Sequence, residues 1–101
     1  MKNKKTPVGG GLPIELLERM AQVLKLLAHA QRLKIVEILE TSDGEPVHGI
    51  MRRLGLSQGA TSQHLNQMKR VGLVESERRG KEVLYRIGDR SALTILKCIR
   101  E

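Results

Sequence analysis

The chain has 101 residues and a formal net charge of +7, enough for one domain whose modest core a partner chain would help to complete. With no Phe, no Trp and one Tyr, Tyr85, the core must come from Leu, Ile, Val, Met and Ala, which favours packed helices. The single cysteine, Cys98, excludes an intrachain disulfide and fits a reducing cytoplasm, and no apolar run has the length of a membrane span or the form of a signal peptide.

Met1–Gly11, with Lys2, Lys4, Lys5 and three consecutive glycines, reads as a flexible basic arm ahead of one domain over 12–101. Pro13 suits a first helical turn. Helix one follows over Ile14–Leu27, with Leu17, Met20, Leu24 and Leu27 on one stripe; Leu16 and Val23 widen it, so that more than one side is to be covered. After a break at Ala28–Ala30, helix two over Gln31–Leu39 is apolar almost all round and therefore central. Thr41–Glu45 is a loop that turns at Asp43-Gly44. Pro46 opens helix three, which buries Val47, Ile50, Met51 and Leu54 and stops at Gly55.

Gly55–Leu73 is the most informative stretch. Ser57 is a natural N-cap, and Gly72 can follow the helix end in a left-handed conformation. Between them Thr61, Leu65 and Met68 form a buried stripe. The opposite face carries Gly59, Ser62, Gln63, Asn66 and Arg70, with no carboxylate. Amides and hydroxyls suit hydrogen bonding to base edges, and an acid-free surface does not repel phosphate. Two short helices joined through a glycine turn make a helix-turn-helix. Leu73-Val74 is β-compatible, Arg79-Gly80-Lys81 is a hairpin tip, and Glu82–Ile87 is a strand with Val83, Tyr85 and Ile87 on one face. Asp89 then caps a last helix over Arg90–Arg100, with Leu93, Leu96 and Ile99 on one side and Ile95 beside them. The expected fold is mainly α with a β-hairpin wing: a winged helix-turn-helix of five helices and two strands.

Charge points the same way. Residues 1–49 hold seven Lys/Arg and six Asp/Glu, whereas residues 50–101 hold eleven and five. The positive excess belongs to the half with the polar helix and the hairpin, as a polyanion partner requires. Cations at a hairpin tip also protect sheet edges; beside an acid-free polar helix, phosphate or minor-groove contact is the favoured reading.

The strings RLKIVEIL, LGLSQGATSQHLNQMKRVGLV and RRGKEVLYRI resemble the arsenic-repressor (ArsR/SmtB) family of bacterial winged-helix regulators. The resemblance covers about Leu24–Ile87, and LSQ followed by SQHL is its most specific part. It implies a homodimer whose first and last helices form the interface, which would use Leu16, Met20, Val23, Leu93, Ile95, Leu96 and Ile99. It also implies repression by promoter binding, relieved by an effector. Metal-sensing members often carry Cys-x-Cys in the third helix; aligned on LSQ, those positions are Pro46 and His48. Other members bind zinc through Asp, His and Glu on the last helix, which here has Asp89 at its start but no histidine. A four-ligand N/S site cannot be assembled from such residues, so no metal and no cofactor is expected. Redox-sensing members pair a cysteine of the second helix with one of the last; Cys98 matches the second position, but Glu37 occupies the first. An intersubunit Cys98–Cys98 bond is conceivable, and a small buried apolar role is favoured.

His29 should help the turn between helices one and two, and His48 should be a surface residue. His64, on the flank of the buried stripe, reads as packed and hydrogen-bonded, with base reading as its other option. No catalytic triad or carboxylate pair is present, and Gly9–Gly11 does not follow a strand, so neither an enzyme nor a nucleotide loop is indicated. The expected function is sequence-specific binding of double-stranded DNA by a cytoplasmic homodimeric repressor. Gln58 and Gln63 are the best base readers, Ser62 is a shorter one, and Gly59 allows close approach. Ser57, Asn66, Lys69 and Arg70 would grip phosphates, and Arg78, Arg79 and Lys81 would reach the flanking backbone or minor groove. The alternative is a winged-helix protein-interaction module, which should show exposed aromatic or Leu anchors on the polar helix. The effector is not specified by the sequence.

Overall fold

The computed structural model describes residues 11–101, so the basic arm, apart from Gly11, lies outside the described residues. The elements are α1 (Ile14–Leu26), α2 (Ala30–Glu40), β1 (Glu45–Pro46), α3 (Val47–Leu54), α4 (Gln58–Arg70), β2 (Val74–Arg79), β3 (Glu82–Ile87) and α5 (Ser91–Arg100). The fold is the winged helix-turn-helix that the sequence predicts.

The α2 helix is the centre. Its Ile35, Val36, Ile38 and Leu39 are buried, and it packs against α3, α5 and β3. Ile50 of α3, Leu65 and Met68 of α4, Leu73 and Val74 at the start of the wing, and Ala92 and Leu96 of α5 complete the core. Ion pairs frame it: Arg100 of α5 donates to both carboxylate oxygens of Glu40 at 2.7 and 2.8 Å, and Arg19 of α1 pairs with Asp89. Asp89 also accepts the Ser91 N–H at 2.9 Å. The hydrogen bonds from Ser91, together with the Arg19 charge, hold the Asp89 carboxyl below its ordinary range.

Three expectations change. The sheet has three strands, in the order β1-β3-β2, because Glu45 and Pro46 pair with Tyr85 and Leu84 before α3 begins. A two-residue strand is too short to show alternation. Gly44 permits the approach, since a Cβ there would lie 3.2 Å from that of Leu84, and Pro46 is tolerated because β1 is an edge. On α1, Val23 and Leu27 face the core, whereas Leu17 and Leu24 of the expected core stripe are 43% and 53% exposed. On α3 only Ile50 is fully buried; Val47, Met51 and Leu54 are half-buried.

Candidate nucleic-acid interface

The α4 helix begins and ends where its sequence directs. The Ser57 hydroxyl accepts the Ala60 N–H at 3.1 Å, which satisfies a first-turn donor. At the other end Gly72 has φ 83°, its N–H donates to Lys69 O, and the Leu73 N–H donates to Met68 O, both at 2.9 Å. This paired closure stops the helix and turns the chain directly into β2. Gly55, with φ 70°, ends α3 in the left-handed region, so the helix-turn-helix corner is Gly55-Leu56-Ser57.

Thr61, Leu65 and Met68 are fully buried. Gln58, Gly59, Gln63, Asn66, Lys69 and Arg70 are exposed, and Ser62 is half-buried. The expected readers and phosphate ligands of α4 therefore lie on one continuous face. A cleft of about 340 Å³ separates this helix from the wing, with Gln58 and Ser62 on one wall and Lys81, Val83 and Tyr85 on the other.

The wing divides the cations that the sequence groups together. Arg78 stands opposite Val83 and shares the face of Tyr85 and Ile87, whereas Arg79 stands opposite Glu82 on the other face. Arg79 lies 3.6 Å from Glu77; Arg78 and Lys81 pair with no carboxylate among the described residues.

The carboxylates of the wing are engaged internally. Arg86 reaches Glu75 at 3.2 Å and Glu77 at 2.7 Å, and its hydrogen bond lowers the Glu77 carboxyl pKa, with Arg79 adding to the effect. Glu82 accepts from His48 Nε2 at 3.2 Å, and His48 Nδ1 lies 3.3 Å from Arg52. Arg52, Arg53, Lys69, Arg70, Arg78 and Lys81 remain without carboxylate partners among the described residues. The surface running from α3 across α4 to the wing tip is thus polar at its centre and cationic at its margins.

A family model described as bacterial regulatory protein, arsR family, matches residues 29–76. The chain is 36% identical over 83 residues to the HTH-type transcriptional regulator YgaV of Escherichia coli K12, an alignment that spans 82% of this chain and 84% of that protein. The chain belongs to the ArsR family. Its fold is similar to the crystal structure of the transcriptional repressor PagR of Bacillus anthracis, with TM-score 0.77, 34% identity and coverage of 86% of this chain and 99% of that one. It is also similar to a homodimeric winged helix-turn-helix DNA-binding domain from Mycobacterium bovis, with TM-score 0.73, 30% identity and coverage of 86% and 80%. This ArsR-family protein is a DNA-binding transcriptional regulator, not an enzyme.

The positions that correspond to the family's third-helix metal ligands are held by Pro46 and His48. Pro46 has no donor atom and lies in a strand, and His48 faces Glu82 and Arg52. Among the described residues no three His, Cys, Asp or Glu side chains converge on one point. Cys98 is exposed within the single chain, on the side of α5 away from Ala92 and Leu96. The residue that sequence reading missed is Arg32, which is only 6% exposed. Its signal was its phase: Arg32, Ile35, Val36 and Leu39 share one face of α2, so the core stripe contains an arginine.

Proposed function

We propose that this regulator is a homodimeric repressor that reads an inverted-repeat operator in double-stranded DNA, in the bacterial cytoplasm. The observation that carries the reading is the acid-free α4 face, flanked by cations whose neighbouring carboxylates are already paired. Gln58, Gln63 and Ser62 are the base readers, with Gly59 the point of close approach. Ser57, Asn66, Lys69 and Arg70 hold phosphates on α4, and Arg78, Arg79 and Lys81 extend the grip from the wing. Dimerisation is supported by apolar surface with no partner among the described residues: Leu12, Ile14, Leu16, Leu17 and Leu24 around α1, and Ile99 of α5, are 42–61% exposed. Met20, Leu93 and Ile95, all half-buried within the protomer, are assigned to the same contact as Leu16 and Ile99. Val23 and Leu96, at 2% and 7% exposure, back it from within the protomer.

The same reading assigns metal sensing to neither of the family's usual positions, on the ligand count given above. The test is selection of binding sites from genomic DNA, repeated with metals, oxidants and thiols added. Two recognition helices about one DNA turn, roughly 34 Å, apart should select an inverted repeat. Recovery of single half-sites bound by monomer would refute the dimer, and tight stoichiometric zinc binding that releases DNA would refute the exclusion of metal.

A further inference from the structure

Arg32 is a buried cation with no carboxylate partner among the described residues. Its guanidinium donates in three directions: Nε to His64 Nδ1 at 2.9 Å, one terminal nitrogen to Leu26 O at 3.1 Å, and the other to Gln67 Oε1 at 2.8 Å. A desolvated charge is costly unless every donor is met. Here neutral acceptors meet it, and one of them is a carbonyl at the negative end of α1. The fork thereby joins three elements: the end of α1, the start of α2 and the flank of α4.

The bond to His64 has a condition. Guanidinium is a donor only, so His64 Nδ1 must offer a lone pair. The imidazole is therefore neutral and carries its hydrogen on Nε2. The titratable or charged groups facing it are Arg32 of α2 and His29 of the preceding turn, whose ring centroid is 6.1 Å away. Burial, then the charges of Arg32 and His29, lower the His64 pKa. Protonation would remove the acceptor and set two cations at hydrogen-bond distance.

His64 and Gln67 are three residues apart, so they lie on one edge of α4, between the buried stripe of Thr61, Leu65 and Met68 and the exposed Gln63. Two bonds from one rigid fork onto that edge oppose rotation of α4 about its own axis. Helix rotation is the coordinate that decides whether Gln63 and Ser62 meet base edges or phosphates. We propose that Arg32 is a positioning residue for sequence readout: through neutral His64 and Gln67 it fixes the rotational setting of the recognition helix, and acid releases that setting. The inference rests on the DNA-reading function and adds to it a residue that touches no DNA.

The experiment measures the ratio of specific to non-specific DNA affinity for the wild type, Arg32→Lys and His64→Asn, with folding followed by circular dichroism. The wild-type ratio should fall about tenfold as pH is lowered from about 7.5 to about 4.5, a span that reaches below the ordinary histidine range because the His64 pKa is lowered. Asn places an oxygen where His64 Nδ1 stands but does not titrate. His64→Asn should therefore keep the neutral-pH ratio within about threefold and lose its pH dependence. Lysine cannot supply the planar fork, so Arg32→Lys should lower the ratio about tenfold while changing non-specific affinity less than about twofold. A flat wild-type ratio, a His64→Asn protein as acid-sensitive as the wild type, or a folded Arg32→Lys protein with an unchanged ratio would each overturn the role. If Arg32→Lys does not fold, the wild-type and His64→Asn arms decide. A wild type with no sequence preference at neutral pH would instead overturn the DNA reading itself.

Discussion

Two surfaces of this molecule lack partners among the described residues, and they are opposites. The α3–α4–wing surface is hydroxyl and amide at its centre and cationic at its edges. The α1/α5 surface exposes Leu16, Leu17, Leu24 and Ile99. The first loses little by standing in water and gains by meeting a polyanion. The second is apolar surface that water disfavours and a second copy would cover. Under the proposed function the difference would let one small chain separate its tasks, with specificity on a surface outside the core and association on helices whose other sides hold the core.

The strongest way to break this division is to charge the apolar side. Leu17→Glu with Leu24→Glu should leave each protomer folded, since both side chains are exposed, but should put like charges across the proposed dimer contact. Sedimentation should then show monomer. Operator affinity should fall by about 10²- to 10⁴-fold, because two half-sites are no longer held together. A double variant that stays dimeric would mean that α1 is not the interface.

The two surfaces also differed in how far they could be read in advance. On α4 only one side is apolar, so Thr61, Leu65 and Met68 fixed its orientation, and Gly59, Gln63, Asn66 and Arg70 opposite them emerged exposed as expected, with Ser62 half-buried. On α1, leucines occupy several sides, so periodicity could not say which stripe is core; burial chose Val23 and Leu27 and turned Leu17 and Leu24 outward. Glu45–Pro46 was illegible as a strand because pairing with β3, rather than local preference, creates it. Arg78 and Arg79 looked alike in sequence, yet strand alternation places them on opposite faces. Arg32 was visible only as an arginine in an apolar phase, and two of its three acceptors, His64 and Gln67, come from a helix distant in sequence.

Within the polar surface, reading and gripping should separate. Gln63→Ala should cost about 1–3 kcal/mol on the specific site and relax preference at one base step. Lys81→Ala should weaken all sequences alike and flatten the salt dependence by about one unit. Arg79→Ala should do the same to a smaller degree, because Glu77 already engages Arg79 at 3.6 Å. Titrations on specific and random duplexes over a salt series distinguish the three. Equal behaviour of Gln63→Ala and Lys81→Ala in both tests would refute the assignment of roles.

A smaller effect concerns what holds each surface to the core. The α4 helix is tied to α2 through His64, whose pKa is lowered from 6.5 in the fold; α5 is tied to α2 through the Arg100–Glu40 pair instead. The unfolded chain therefore binds the proton more readily than the folded one. This contribution is fully present above the unfolded pKa and is lost as pH falls below it toward the lowered folded value. Urea unfolding should show a midpoint that declines through this window in the wild type and declines less in His64→Asn. Equal slopes would remove His64 from the linkage.

The smallest expected change bears most directly on why the polar surface has its composition. Gly59 lies in the first turn of α4, and a Cβ built there would meet nothing within 4 Å. Its φ is not among the positive values, which belong to Gly55, Gly72 and Gly80. Neither packing nor backbone geometry demands glycine at this position, and glycine in a helix costs about 0.5–1 kcal/mol relative to alanine. Gly59→Ala should therefore raise stability by up to about that amount. A residue that weakens the fold without serving it points to something outside the fold: here, a DNA surface that comes close to the helix start. The same substitution should lower operator affinity, because the added methyl group holds that surface away. Thermal unfolding and operator binding measured on one preparation should move in opposite directions. If Gly59→Ala stabilises the protein and leaves DNA affinity intact, DNA does not approach α4 at its first turn, and the docking of the recognition helix must be redrawn.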